Sequence, residues 1–301
     1  MRRLAIFLPL LACGGDDNNL IDGGSDATID VVSEPDVADV AVDVPPERAI
    51  WVASATTLYK FDPGTKVVTR VADFDCSGEP MLDLAMNERE ELFGITSESV
   101  VRIDKVTGAC TGIARGALDL PYATAFVPAA SLDAGVEKWV GYKYATYSEI
   151  DPDSGALTFV GTLANDAGNT SQASGDMVSL AGGKTYVTGF NFNPQVGDSI
   201  LEVDPNTGGV TTFDGVTGVA ELRGIAQWAG VLYVFSGQGR VYFAQISDAG
   251  VNLKTIALTY DLGDAGAVDA SAEAGDAAVE ASGPFYIPFR GAAVTTRAPT
   301  Q

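Results

Sequence analysis

Leu201-Glu-Val-Asp-Pro-Asn-Thr-Gly208 is one of five copies of a single phrase, an apolar-aromatic strand that ends in Asp-Pro-x-Thr-Gly. The others read Leu58-Tyr-Lys-Phe-Asp-Pro-Gly-Thr65, Val101-Arg-Ile-Asp-Lys-Val-Thr-Gly108, Tyr147-Ser-Glu-Ile-Asp-Pro-Asp-Ser-Gly155 and, worn down, Phe243-Ala-Gln-Ile-Ser-Asp-Ala-Gly250. Their turns start at 62, 104, 151, 204 and 247, so the steps are 42, 47, 53 and 43 residues. Such steps match a four-stranded propeller blade, about 40–45 residues long. The turn has a chemical reason. Asp accepts backbone N–H groups two or three residues on, Pro presets φ, and Gly takes the left-handed position that closes the hairpin. Lys66 stands where the first copy needs Gly, so that turn is expected to be strained or different.

Two further strands precede each phrase and one follows it. In the first complete blade, Leu82-Asp-Leu-Ala-Met86 reads as the inner strand, Glu91 to Thr96 as the second, Val100 to Ile103 as the third and Cys110 to Ala114 as the outer one. The other inner strands align as Tyr122-Ala-Thr-Ala125, Gly175-Asp-Met-Val178, Arg223-Gly-Ile-Ala226 and Arg290-Gly-Ala-Ala293. The last has nothing after it, and the strands at Ile50, Leu58 and Val67 have no inner strand before them. The two ends are expected to complete one blade together. The prediction is an all-β fold, a five-bladed β-propeller over residues 48–301, with no free inner edge.

This pattern resembles a large, loosely related group of bacterial exported β-propellers, the YVTN, PQQ-like and NHL-like repeats, whose blades read Leu-Tyr-x-Ile-Asp-Pro-x-Thr-Gly. The resemblance covers nearly all of the body and implies a propeller. It says little of function, because this architecture hosts many. Similar lipoproteins with acidic tethers are typical of bacteria with complex envelopes.

The N-terminus supplies an address. Arg2 and Arg3 precede an apolar run from Leu4 to Leu11 that is too short to span a bilayer. Leu10-Leu-Ala-Cys13 resembles the bacterial lipobox, which implies a signal peptide over 1–12 and a diacylated Cys13 that anchors the chain to the envelope, at the outer membrane. Residues 13–47 contain ten acids and no Lys or Arg. Such a stretch cannot offset the cost of ordering its backbone and reads as an extended tether.

The net charge of −22 is concentrated in two tracts. The tether holds ten acids and the insertion at 261–283 holds six. Without these and the two leader arginines, 24 acids face 16 bases, so the body carries about −8. No basic stripe is available to neutralise phosphates, which argues against nucleic acid as a partner. In an exported chain the remaining cysteines, Cys76 and Cys110, invite a disulfide. However, Cys110 begins an outer strand while Cys76 follows the far end of a neighbouring one, so they could lie too far apart.

Catalytic motifs are sparse. With no histidine, there is no Ser-His-Asp triad, histidine base or histidine metal site. Asp151-Pro-Asp-Ser-Gly155 lacks the later ligands of a calcium loop, and Gly182-Gly-Lys184 is a hairpin turn rather than a phosphate loop. Two candidate sites remain. Phe190, Asn191, Phe192, Asn193 and Gln195 combine aromatic faces with amides on a long loop, a mix suited to a glycan or an envelope protein. Asp83 and Asp176 share one register on two inner strands, with Arg223 and Arg290 one step earlier and Gly224 and Gly291 at the Asp register. Facing the axis, the two carboxylates could bond backbone or the arginines, hold Ca²⁺, or act as an acid/base pair. The sequence favours a non-enzymatic binding module without a cofactor. The alternative is a polysaccharide hydrolase or lyase built on Asp83, Asp176 and a third acid that cannot be placed.

Overall fold

Side chains alternate across a strand, so each strand shows one set to the preceding blade and the other to the following blade. The apolar residues of the repeat populate both sets, and the sheets stack face to face around an axis. The computed structural model describes residues 45–116, 119–164, 170–180, 182, 184–190, 197–247, 250–263 and 287–300. Cys13, Asn191, Phe192, Asn193 and Gln195 lie outside the described residues, as do most of the tether and of the acidic insertion.

The chain folds as a five-bladed β-propeller of antiparallel sheets. Blade 1 contains β1 (Ile50–Ala53), β2 (Thr57–Asp62) and β3 (Val67–Asp73). Blade 2 is β4 (Met81–Met86), β5 (Leu92–Thr96), β6 (Ser99–Ile103) and β7 (Cys110–Arg115). Blade 3 is β8 (Ala123–Val127), β9 (Lys138–Lys143), β10 (Thr146–Ile150) and β11 (Leu157–Thr162). Blade 4 is β12 (Ala173–Ser179), β13 (Thr185–Gly189), β14 (Ser199–Val203) and β15 (Val210–Val216). Blade 5 is β16 (Leu222–Trp228), β17 (Val231–Ser236), β18 (Val241–Ser247) and β19 (Gly250–Thr255). A 3₁₀ turn at Ala129–Ser131 interrupts the strands.

The ends close the ring as the repeat predicts. β21 (Gly291–Ala293) pairs with β1, setting Trp51 opposite Ala293 and Ala53 opposite Gly291. One further strand was not foreseen. β20 (Thr259–Asp261) runs parallel to β3 and makes blade 1 five-stranded. The C-terminal tail then crosses the face opposite the D–A loops, which lead from one blade's outer strand to the next blade's inner strand. Thr295 Oγ1 donates to Asn87 O at 2.9 Å, and Pro299 O accepts Ala229 N–H at 2.7 Å and Gln227 Nε2 at 2.9 Å.

One apolar cluster fills each of the five blade-to-blade interfaces. Between blades 2 and 3, Phe93, Phe126 and Trp139 meet ring to ring at 5.2–5.5 Å. Between blades 5 and 1, Phe61, Tyr233, Phe235 and Phe289 do the same at 5.3–5.6 Å. Each such buried ring contributes about 1.5–3 kcal/mol, so the core is shared among interfaces and no blade has its own.

The repeat turn has a second purpose that the sequence does not reveal. Asp104 accepts the N–H groups of Val106 and Thr107 at 2.9 and 2.8 Å, and Asp151 those of Asp153 and Ser154 at 3.1 and 2.7 Å. The amide bonds hold Asp104 below the usual carboxylate range, and the Ser154 hydroxyl, at 2.8 Å, with the two amides does the same to Asp151. The turn also seats on the blade before it. Tyr142 and Tyr147 of blade 3 donate their hydroxyls to Gly208 O and Pro205 O in the blade 4 turn, each at 2.9 Å. A Cβ on Gly208 would lie 2.4 Å from the Tyr147 ring, and its φ is +72°. The first copy keeps this geometry, and the expected strain falls on Lys66 itself, a side chain in the left-handed region. Lys66 takes φ +63°, its N–H donates to Asp62 O at 2.8 Å, and its ammonium bonds Tyr233 of blade 5 at 2.9 Å.

Candidate functional site

The inner strands β4, β8, β12, β16 and β21 pack side by side around the axis. Three levels follow along it: an open mouth, a pair of buried carboxyls and a narrow apolar void.

Asp83 and Asp176 occupy the middle level, both at 0 % exposure. Asp83 accepts Leu84 N–H at 2.8 Å, Thr124 N–H at 2.5 Å and the Thr124 hydroxyl at 3.0 Å. Asp176 accepts Met177 N–H at 2.6 Å, and the N–H groups of Ile225 and Ala292 at 2.9 Å each. The Asp83 carboxyl lies close enough to that of Asp176 for each to shift the other. The pair therefore ties together all five inner strands, including the C-terminal one. Burial, with the charge of Asp176 beside it, holds Asp83 well above the usual carboxylate range. Burial does the same to Asp176, against the opposing pull of its N–H donors and of Asp83. Two carboxyls this close hold a proton between them. Gly291 is small for a reason, since a Cβ there would meet Asp83 Oδ1 at 2.3 Å.

Beneath the pair lies a void of about 20 Å³, lined by Leu84, Phe126, Met177, Ile225 and Ala293 among others. It has room for about one water, so the axis is no conduit. The carboxyl oxygens are occupied by backbone and Thr124, and the arginines do not pair with them. Asp83 and Asp176 face neither solvent nor the mouth, which departs from the alternative that places a substrate between them. No cluster of three or more His, Cys, Asp or Glu residues suited to a metal occurs among the described residues.

The mouth is a cup of about 390 Å³. It opens where the inner strands begin, on the face of the D–A loops. Arg223 and Arg290 enter it from the adjacent strands β16 and β21. Tyr122, Tyr144 and Phe190 supply its aromatic wall, with Gln172 and Ser174 between. Tyr122 and Tyr144 meet edge to face at 5.6 Å, and the Tyr122 hydroxyl accepts Tyr144 N–H at 3.0 Å and donates to Ala173 O at 3.1 Å. Phe190 and Tyr144 are 48 % and 57 % exposed. Of the aromatic-amide loop, the described residues bring Phe190 to this cup. Sequence reasoning placed Tyr122 on an inner strand without a role, did not single out Tyr144, and offered the arginines as one possible partner of the aspartates.

Cys76 and Cys110 are joined, with 5.0 Å between Cα atoms. The expected separation disappears because Asp75 bridges to Ala109 and its N–H donates to Gly108 O at 3.1 Å. The blade 2 turn rests on the end of β3, so the bridge pins blade 1 to blade 2.

No family model matches the sequence, and no curated protein matches it. Among solved structures, the chain is similar to one in a nidogen/laminin complex, at 11% identity over 84% of this chain and 99% of that one, with a TM-score of 0.46. Virginiamycin B lyase from Staphylococcus aureus aligns at 14% identity over 73% of each chain, with a TM-score of 0.40. BamB from Moraxella catarrhalis aligns at 14% over 70% of this chain and 58% of that one, with a TM-score of 0.34. At these values the fold rests on the strand order and register described above. It is that of a five-bladed β-propeller, an architecture that leaves function to the site it carries.

Proposed function

We propose that the chain is a bacterial lipoprotein, held on the cell envelope through an acylated Cys13, whose propeller binds a ligand or partner without transforming it. The observation that carries this reading is the sealed axis. The two carboxyls that a propeller hydrolase or lyase would need are buried and engaged with backbone, while the accessible cup presents arginines, aromatics and amides. The lipobox-like Leu10-Leu-Ala-Cys13, the acidic tether and the likeness of the repeat to exported propellers support the envelope location. A glycan or an envelope protein suits the cup, with the outer membrane as the site of display.

Two readouts test the proposal together. Full-length protein and a Cys13→Ser variant are expressed in a Gram-negative host and partitioned between detergent and aqueous phases. The wild type is expected in the detergent phase and Cys13→Ser in the aqueous phase. Equal partitioning of the two overturns the anchor. Incubation with envelope polysaccharides is expected to release no new reducing ends. Release that disappears in Asp83→Asn overturns the binding-module reading in favour of the enzyme.

A further inference from the structure

Resting on the binding-module reading, we infer that the cup recognises an oxyanion-bearing saccharide, with Arg223 and Arg290 reading the acid group and Phe190 and Tyr144 the sugar ring. Four observations converge on this class of ligand.

The first is charge. Nine other Lys and Arg side chains of the described body lie within 4.0 Å of a carboxylate. Arg223 and Arg290 pair with none among the described residues, although acids outnumber bases across the body. Arg223 spends one N–H on Ser174 O at 2.6 Å, which fixes its head at the rim and leaves the other donors of the guanidinium available. Both guanidinium groups line the same cup, so an anion held there faces two cations. Arg forks match carboxylate, phosphate and sulfate oxygens bidentately.

The second is the wall. Phe190 and Tyr144 expose large aromatic surfaces, which costs free energy in water unless something covers them. Tyr144 is held in place at φ +54° by its N–H bond to the Tyr122 hydroxyl, so the platform is preset. The C–H face of a pyranose covers such a surface while its hydroxyls stay at the edge.

The third is an orphaned group. Ser174 Oγ is buried at the cup, the residue being 5 % exposed, and has no hydrogen-bond partner among the described residues. A buried hydroxyl without a partner is unfavourable. With the neighbouring Gln172 amide it offers donor and acceptor positions for sugar hydroxyls.

The fourth is size. A cup of about 390 Å³ lies within the range of about 300–1,000 Å³ for small-ligand sites. It is too small for a folded partner to enter, and suits one or two sugar rings of a longer chain.

The experiment is isothermal titration calorimetry of the full-length chain in detergent. The probes are trisaccharides bearing a carboxylate, a phosphate or a sulfate, beside a neutral trisaccharide of matched linkage. At least one acidic probe is expected to bind at least about tenfold more tightly than the neutral one, which identifies the acid group. Arg290→Gln, whose side chain makes no hydrogen bond or ion pair among the described residues, is expected to lower that affinity about tenfold and to leave the neutral probe unchanged. This follows because charge-assisted hydrogen bonds are the strong ones. Phe190→Ala should weaken acidic and neutral probes alike. If the acidic probes bind no better than the neutral one, or if Arg290→Gln with an unchanged melting temperature keeps the acidic probe, the ligand class is wrong while the binding-module reading stands. If an acidic probe binds through Arg290 but is cleaved, the ligand class stands and the binding-module reading falls.

Discussion

Asp83 and Asp176 act as anchors, each taking its donors from backbone or Thr124, one of the uses the sequence left open to them. On the sequence they are paired carboxylates on inner strands, a pattern as suited to acid/base chemistry as to anchoring. In the fold each takes three donors from protein groups, and the two share a proton. Asp176→Asn replaces one oxygen of a carboxyl that backbone N–H groups from three strands point at and should cost about 3 kcal/mol. Asp83→Asn keeps a donor toward Asp176 but loses one acceptor, and should cost about 1–2 kcal/mol. Guanidinium unfolding at pH 7 gives this ranking, and the reverse order would show that the Thr124 bonds of Asp83 matter more than the three backbone donors of Asp176. The pH dependence has a definite sign. The native pair holds its proton at pH values where the unfolded carboxyls, with an ordinary value of 3.8, have lost it. Its stabilisation is complete below about pH 4 and declines as pH rises through the native value. With no histidine in the chain, few other groups titrate near neutrality. The stability advantage of wild type over Asp83→Asn should therefore shrink between pH 5 and 9. An advantage that grows with pH would contradict a shared proton.

The element that recurs is the Asp-Pro-x-Thr-Gly turn. It was legible because its chemistry is local, with Asp, Pro and Gly each acting within four residues. Its contact with the preceding blade was not legible, since Tyr142, Tyr147 and Tyr233 reach it from 58 to 170 residues away. Gly208→Ala places a side chain at φ +72° against Tyr147 and should cost about 2–4 kcal/mol, combining left-handed strain with overpacking. A loss under 1 kcal/mol in urea unfolding would mean that the turn does not latch the blades. The Cys76–Cys110 bridge acts at the corresponding contact between blades 1 and 2. It closes a sequence separation of 34 residues, so Cys110→Ser should cost about 3–4 kcal/mol on the loop-entropy model. β20 escaped notice for a different reason. Its three residues pair with a strand about 190 positions earlier, and no periodicity marks so short a segment.

For the whole molecule, closure matters more than any single blade. The ring is completed only by β1 with β21, and Ala292 of β21 is itself a donor to Asp176. A chain ending at residue 286 loses that strand, one bond to the buried pair and the tail across the far face. It is expected to show no cooperative thermal transition, and a transition within a few degrees of wild type would show that four blades suffice. The blade count could be read from the sequence because repeats declare their period. The cup could not, because Tyr122, Tyr144, Phe190, Arg223 and Arg290 come from four blades and meet only once the ring has closed.

The proposed recognition of a ligand at the mouth, above a sealed axis, requires the two levels to be separable. Acidic-trisaccharide binding to Asp83→Asn and to Arg290→Gln, measured side by side by calorimetry with product analysis of each mixture, probes that separation. Asp83→Asn should keep wild-type affinity within about twofold, Arg290→Gln should lose about tenfold, and the saccharide should be recovered intact from every mixture. Loss of binding in Asp83→Asn with the fold preserved, or cleavage by wild type that this variant abolishes, would put the chemistry at the buried carboxyls and contradict a sealed axis.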